Sequence, residues 1–124
     1  MRISIGLLAV ALASFAAAGV ACAADAGAGE QLSQTCAICH KFEKGAGNGL
    51  GPNLFGVVGR KAASLPDFAY SDALKTSHIT WTADNLTNWI AGPTTMVPGT
   101  KMVFPGLTSK TDIANLIAYL STLK

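Results

Sequence analysis

Charge is scarce in this chain. Only 13% of its 124 residues are Asp, Glu, Lys or Arg, and nine basic against seven acidic side chains leave a net +2. A nucleic-acid binder would carry a basic stripe, so nucleic acid is not an expected partner. Disorder is also excluded, because half of the residues are hydrophobic. The length allows one domain at most, which rules out a two-domain enzyme closing a cleft over a small-molecule substrate. Cysteine is sparse too, with three in the whole chain.

The composition averages two unlike pieces. Residues 1–24 hold one charge, Arg2, followed by the uncharged run Ile3 to Ala24. A short positive start, an apolar stretch and a small-residue exit describe a secretory signal peptide. Ala21 and Ala23 fit an A-x-A exit, and cleavage after Ala24 would leave Asp25 first. The competing readings are a retained membrane anchor, since 22 uncharged residues could span a bilayer, and a lipid anchor on Cys22. Alanine dominates the run and is a weak hydrophobe, which favours removal. Removing 24 of 124 residues leaves 100, a net charge of +1 and two cysteines. The expected organisation is therefore a leader at 1–24 and one domain at 25–124. Export places that domain in an oxidising compartment, the periplasm. A signal peptide of this kind argues against the mitochondrial intermembrane space.

The two remaining cysteines stand in Cys36-Ala37-Ile38-Cys39-His40. C-x-x-C-H is the attachment signature of c-type haem. Two intervening residues let one helical turn present both thiols to adjacent vinyl groups of the porphyrin, and the next residue can turn its imidazole to the iron. Other readings are weaker. A Cys36–Cys39 disulfide would close a tiny loop and add little. A thioredoxin-like pair needs a βαβ context, which the pattern lacks. A zinc site needs a fourth ligand, and the only other histidine is His78. One covalent haem c is the expected cofactor.

An iron with one protein ligand leaves a sixth position. The residues alone offer Met96, Met102 and His78. Met102 lies in Pro98-Gly99-Thr100-Lys101-Met102-Val103-Phe104-Pro105-Gly106, a loop by its proline and glycine content. Met96 follows Pro93 and also reads as loop. His78 lies in the polar stretch Lys75-Thr76-Ser77-His78 and reads as a surface residue.

The runs Gly51-Pro52-Asn53-Leu54-Phe55-Gly56-Val57-Val58-Gly59-Arg60 and Pro98-Gly99-Thr100-Lys101-Met102 resemble class I cytochrome c, the group of mitochondrial cytochrome c and bacterial cytochrome c2. The resemblance extends over residues 25–124. His40 and Met102 are 62 residues apart, matching that family's axial pair, and the resemblance implies these two as the iron ligands. It implies that the Pro52 carbonyl accepts a hydrogen bond from His40, and that Arg60, Tyr70 and Trp81 surround the haem propionates. Thr100 and Lys101 resemble the loop of the axial methionine, and Phe104 the aromatic that covers the haem. The chain departs from the family in places. Thr35, Thr94, Thr95, Thr108 and Ser109 stand where lysines often stand, and of that set only Lys101 remains. Trp89 replaces a tyrosine near the methionine, and Leu74 a commonly polar residue.

The expected fold is all-α: the class I cytochrome c fold, three main helices plus short helices and long loops wrapped around one covalent haem. Periodicity predicts a helix over 26–39 ending at the cysteines, with Gly27 and Gly29 allowing a second helix to approach. A long loop follows over 41–68, then a short helix at 71–75 and another from 82 or 83 to 91. In the last, Leu86, Trp89 and Ile90 share a face, and Gly92-Pro93 ends it. The final helix shows a Ser109/Asp112 capping pattern and an apolar stripe of Ile113, Leu116, Ile117 and Leu120.

His/Met ligation leaves no vacant position on iron and raises the potential. The resemblance therefore implies a non-enzymatic, monomeric one-electron carrier of a respiratory or photosynthetic chain. It would collect electrons from a membrane reductase of the bc1 type and deliver them to a terminal oxidase, a reaction centre or another periplasmic acceptor. With few lysines, steering by a positive field should be weak. The alternative is a haem peroxidase or a gas-binding haem protein, should the methionine be labile.

Overall fold

A computed structural model describes residues 22–124. The leader expected at 1–24 falls outside the described residues except for Cys22, Ala23 and Ala24, which are exposed and outside any helix. Five helices follow in order: α1 (Ala26–Cys36), α2 (Asp72–Lys75), α3 (Ala83–Ala91), α4 (Pro93–Met96) and α5 (Lys110–Leu120). The described residues contain no named strand, only an isolated antiparallel bridge between Lys61 and Thr80. No helix among them is long and apolar enough to cross a membrane.

Each main helix starts on a side-chain cap. The Asp25 carboxylate accepts from the backbone N–H of Gly27 and Ala28 at 2.8 and 3.2 Å, where an anion also suits the helix dipole. Thr82 caps α3 through Asn85 N–H at 3.2 Å. Ser109 caps α5 through Asp112 N–H at 3.2 Å.

Helices α1 and α5 pack face to face, and α3 packs on α5. The crossing depends on Gly29. A Cβ there would collide with the Asn115 carbonyl oxygen and lie 2.9 Å from Tyr119 Cβ. Gly27 faces only the Asp25 carboxylate, at 3.2 Å, so one of the two glycines makes the approach. The same Asn115 accepts the Asp25 backbone N–H on its Oδ1 at 2.8 Å. From α5 the stripe Ile113, Leu116, Ile117 and Leu120 is buried, and from α3 the set Leu86, Trp89 and Ile90. These join Val57, Tyr70, Leu74, Trp81 and Val97 in one core.

Two sequence expectations need correction. The first helix ends at Cys36 rather than 39, and residues 37–39 form a tight turn. The Cys36 carbonyl accepts from both Cys39 N–H (3.0 Å) and His40 N–H (2.9 Å), which closes the helix. Met96 is not in a loop: Pro93 opens the one-turn α4 at its first position, where its fixed φ and missing N–H cost nothing.

The segment between α1 and α2 is held by contacts distant in sequence. Leu54 N–H donates to Lys41 O at 2.8 Å, and Gly56 N–H to Leu123 O at 2.7 Å. Around the bridge, Gly59 N–H donates to Trp81 O, Trp81 N–H to Arg60 O and Ala62 N–H to Ile79 O, each at 2.8 Å.

Candidate functional site

The site begins where α1 closes. Cys36 and Cys39 are half-buried and no disulfide joins them. Burial pushes the Cys36 thiol upward, against the lowering effect of a backbone hydrogen bond, so the neutral, thiol form is favoured. His40 follows directly. Its Nδ1 lies 2.7 Å from the Pro52 carbonyl oxygen. A carbonyl can only accept, so Nδ1 carries the proton and Nε2 keeps its lone pair. Burial holds His40 below the usual imidazole range, the Pro52 carbonyl partly offsets this, and the Arg60 cation adds to the lowering.

Gly51 fixes the plane of that ring. A Cβ at position 51 would collide with His40 Cε1 and lie 2.7 Å from Nδ1. Gly51 N–H also donates to the Cys39 carbonyl at 2.8 Å. The loop is thus tied on both sides of the histidine, to the attachment turn and to the ring.

A second group gathers around Arg60. The guanidinium is half-buried and donates to Asn53 O at 2.9 Å and Phe55 O at 3.2 Å. Burial lowers its pKa, and no carboxylate balances it: the one ion pair among the described residues is Lys75–Asp72 at 3.6 Å. Tyr70 is near enough for each to shift the other. Its hydroxyl accepts from Leu65 N–H at 3.3 Å, which leaves the O–H free to donate. Its ring packs edge-on against Phe68, with centroids 4.9 Å apart. Trp81, bonded to the Arg60 carbonyl through its backbone, is buried, and its ring centroid lies 5.0 Å from that of Trp89. A desolvated cation with unused donors, flanked by a free phenolic O–H, suits an acidic group from outside the chain.

The third part is the segment after α4. Met102 and Phe104 are half-buried against the core. Thr100 Oγ1 accepts from Met102 N–H at 3.4 Å, and Leu107 N–H donates to Ile90 O at 2.9 Å, tying the segment to α3. Of the other candidates for iron, His78 is exposed with φ 55°. Met96 lines a shallow groove with Asn88, Ala91 and Thr95.

Sequence reasoning missed Asn53 and Asn48. Asn53 Oδ1 accepts from Phe55 N–H, its Nδ2 donates to Glu43 O, and Asn48 Oδ1 accepts from Asn53 N–H, each at 2.8 Å. Asn53 therefore stiffens the loop whose carbonyls hold Arg60. The readable signal was asparagine's preference for turns stabilised by its own side chain.

The donor set suits covalent haem: two unbridged thiols on one turn, an imidazole with its free nitrogen fixed, and an unpaired cation beside a hydroxyl donor. No cluster of three His, Cys, Asp or Glu side chains able to hold a metal occurs among the described residues, so a zinc site of such ligands is not assembled there.

The family model described as cytochrome c matches residues 26–124. A cytochrome c2 of Rhodoblastus acidophilus is 49% identical over 102 residues, covering 82% of this chain and 95% of the relative. A cytochrome c-554 of Methylosinus trichosporium is 44% identical over 120 residues, covering 96% and 91%. Among solved structures, cytochrome cH from Methylobacterium extorquens superposes with a TM-score of 0.75 at 48% identity, covering 79% of this chain and 98% of that one.

Proposed function

The chain belongs to the cytochrome c family, and on that footing we propose that it is an exported, periplasmic shuttle between a bc1-type reductase and a terminal oxidase, a reaction centre or another periplasmic acceptor. Its cofactor is covalently bound haem c with iron, and it is a small electron-carrier cytochrome, as its relatives are. Haem c, when bound, supplies one iron that gains and loses a single electron.

In this reading Cys36 and Cys39 would form the two thioether links, and His40 Nε2 and the Met102 sulfur would hold the iron. Pro52 holds the histidine tautomer, and a ligating imidazole so anchored turns little between oxidation states. The methionine thioether is soft and favours the reduced ion, which raises the potential. Arg60, Tyr70 and Trp81 would face the propionates and offset the cost of burying them. Thr100 shapes the loop that carries Met102, and Phe104 excludes water beside it. None of these side chains is asked to act as acid, base or nucleophile.

The observation that carries the proposal is the 2.7 Å bond from His40 Nδ1 to Pro52 O, one residue from a free cysteine. It leaves the Nε2 lone pair with no hydrogen-bond partner among the described residues.

We also propose that residues 1–24 are a cleaved leader and 25–124 the domain. Two facts support this. Among the described residues Asp25 is the first tied into the fold, through Asn115. The cytochrome c family model matches from residue 26 onward, one residue past that boundary.

Intact-mass measurement of the native protein tests both parts. The expected mass is the chain from Asp25 plus one haem. A mass without haem overturns the carrier reading, and an intact leader overturns the processing. Carbon monoxide added to the reduced protein at neutral pH should leave its spectrum unchanged. Rapid binding would favour a gas-binding protein or peroxidase instead.

A further inference from the structure

The Pro52 carbonyl that accepts from His40 belongs to the same peptide unit as the Asn53 N–H. That N–H donates to Asn48 Oδ1 at 2.8 Å, while the carbonyl accepts from His40 Nδ1 at 2.7 Å. No peptide bond among the described residues is cis, so the C=O and N–H of this unit point in opposite directions. A continuous chain of hydrogen bonds therefore runs from the His40 imidazole, through the Pro52–Asn53 peptide, to the Asn48 side chain.

Asn48 is placed for this role. Residues 43–50 are exposed except Asn48, which is half-buried. Gly47 before it has φ 74°, a left-handed turn that glycine makes without strain. Both partners of the Asn48 amide are backbone groups of fixed polarity. Its Oδ1 meets the Asn53 N–H, and its Nδ2 donates to Asp67 O at 3.3 Å. The amide can sit only one way round, with its acceptor toward Asn53.

Hydrogen bonds in a chain polarise one another. An acceptor on the Asn53 N–H makes the Pro52 oxygen more negative. That oxygen then draws the Nδ1 proton harder and leaves Nε2 richer in electrons. An outer partner of a ligating histidine raises its basicity in this way, and a stronger nitrogen donor favours oxidised over reduced iron.

We propose that Asn48 is a positioning residue for electron transfer: its side-chain oxygen, acting through the Pro52–Asn53 peptide, strengthens the His40–Pro52 hydrogen bond and holds the midpoint potential down. This rests on the reading of His40 as an iron ligand and adds a residue that acts on it from two hydrogen bonds away. The Asn53 side chain stands outside the chain. It accepts from Phe55 N–H and donates to Glu43 O, each at 2.8 Å. Asn53→Ala therefore loosens the same loop without removing the acceptor.

Variants of the holoprotein are compared with the parent by voltammetry and by proton NMR of the reduced form. Asn48→Ala should move the His40 Nδ1–H signal upfield and let the Asn53 amide exchange with deuterium about tenfold faster. Its potential should rise. At a fixed electrode potential the oxidised-to-reduced ratio should fall about two- to threefold, which is about 20–30 mV at 59 mV per decade. Asn48→Asp keeps an acceptor for Asn53 N–H, now ionised and stronger, and loses the donor to Asp67 O. Its Nδ1–H signal should move downfield. Asn53→Ala should lower the unfolding midpoint without raising the potential.

An unchanged or lower potential in Asn48→Ala would overturn the proposal, because loosening alone admits water, which favours the more charged oxidised site. So would a raised potential in Asn53→Ala. Nδ1–H shifts of the same sign in Asn48→Ala and Asn48→Asp would overturn it too, by assigning the role to the Asp67 contact. If Asn48→Ala does not fold, Asn48→Asp decides alone: a downfield shift supports the chain, and an upfield shift or none overturns it. Failure of the ligand reading looks different. The parent's His40 ring protons would then keep ordinary aromatic shifts instead of being moved far upfield by the haem ring current.

Discussion

The imidazole of His40 and the carbonyl of Pro52 meet at 2.7 Å, and Gly51, the residue before Pro52, has no room for a methyl group against the same ring. One residue pair thus sets the tautomer while its neighbour sets the plane. The arrangement orients a nitrogen ligand using only backbone atoms and a missing side chain.

Gly51→Ala should therefore push the ring aside. Overpacking of this kind costs about 1–3 kcal/mol. Guanidinium unfolding followed at the haem absorption band should show a lower midpoint, and the absorption spectrum should report weakened ligation. A variant as stable as the parent would mean that the loop yields easily.

Met102→Ala should lose the weak long-wavelength band of methionine-bound ferric haem, admit carbon monoxide in the reduced form and lower the midpoint potential by on the order of 0.1 V. Met96→Ala should change none of these. The reverse result would assign the ligand to α4.

Arg60→Met removes a cation from beside the proposed propionates. Positive charge disfavours the oxidised ion, so its loss should lower the potential by a few tens of millivolts. The propionate pKa should rise in consequence, giving the potential a pH dependence in the neutral range. Arg60→Lys should retain part of the potential and less of the geometry, since only a guanidinium reaches the Asn53 and Phe55 carbonyls as a fork. Voltammetry across pH reads all three proteins.

Gly29→Val should separate α1 from α5 and destabilise the fold by about 1–3 kcal/mol or more. Gly27→Ala should be neutral or stabilising by up to about 1 kcal/mol, because it gains helix propensity where only the movable Asp25 carboxylate is near. Denaturant titrations of the two variants should move in different directions.

What could be read beforehand was mostly local. The burial of Ile113, Leu116, Ile117 and Leu120 follows from their spacing, as does that of Leu86, Trp89 and Ile90. Cys36, Cys39 and His40 lie within one turn because they are adjacent. The resemblance supplied Pro52 as partner of His40, a contact spanning 12 residues, which pattern alone does not reveal. Pattern also did not separate Gly29 from Gly27, since which glycine meets α5 depends on how the two helices cross. The α4 turn was hidden because Gly92-Pro93 signals the end of one helix as readily as the start of another. Asn48 and Asn53 escaped notice because their partners, the Asn53 N–H and Asp67 O for Asn48 and Glu43 O and the Phe55 N–H for Asn53, are backbone groups whose positions the loop itself creates.

The bond from Asp25 to Asn115 brings the first anchored of the described residues to the middle of the final helix. At about 1.5 Å of rise per residue, the α5 terminus lies only about 8 Å beyond that point. In the proposed domain of residues 25–124 the two ends would therefore be near each other, and a short peptide could weld Lys124 to Asp25. New ends could then be cut into the exposed stretch at residues 45–47, since exposed loops tolerate such nicks. A circularly permuted chain built that way would keep every helix crossing while moving its free ends close to the attachment turn.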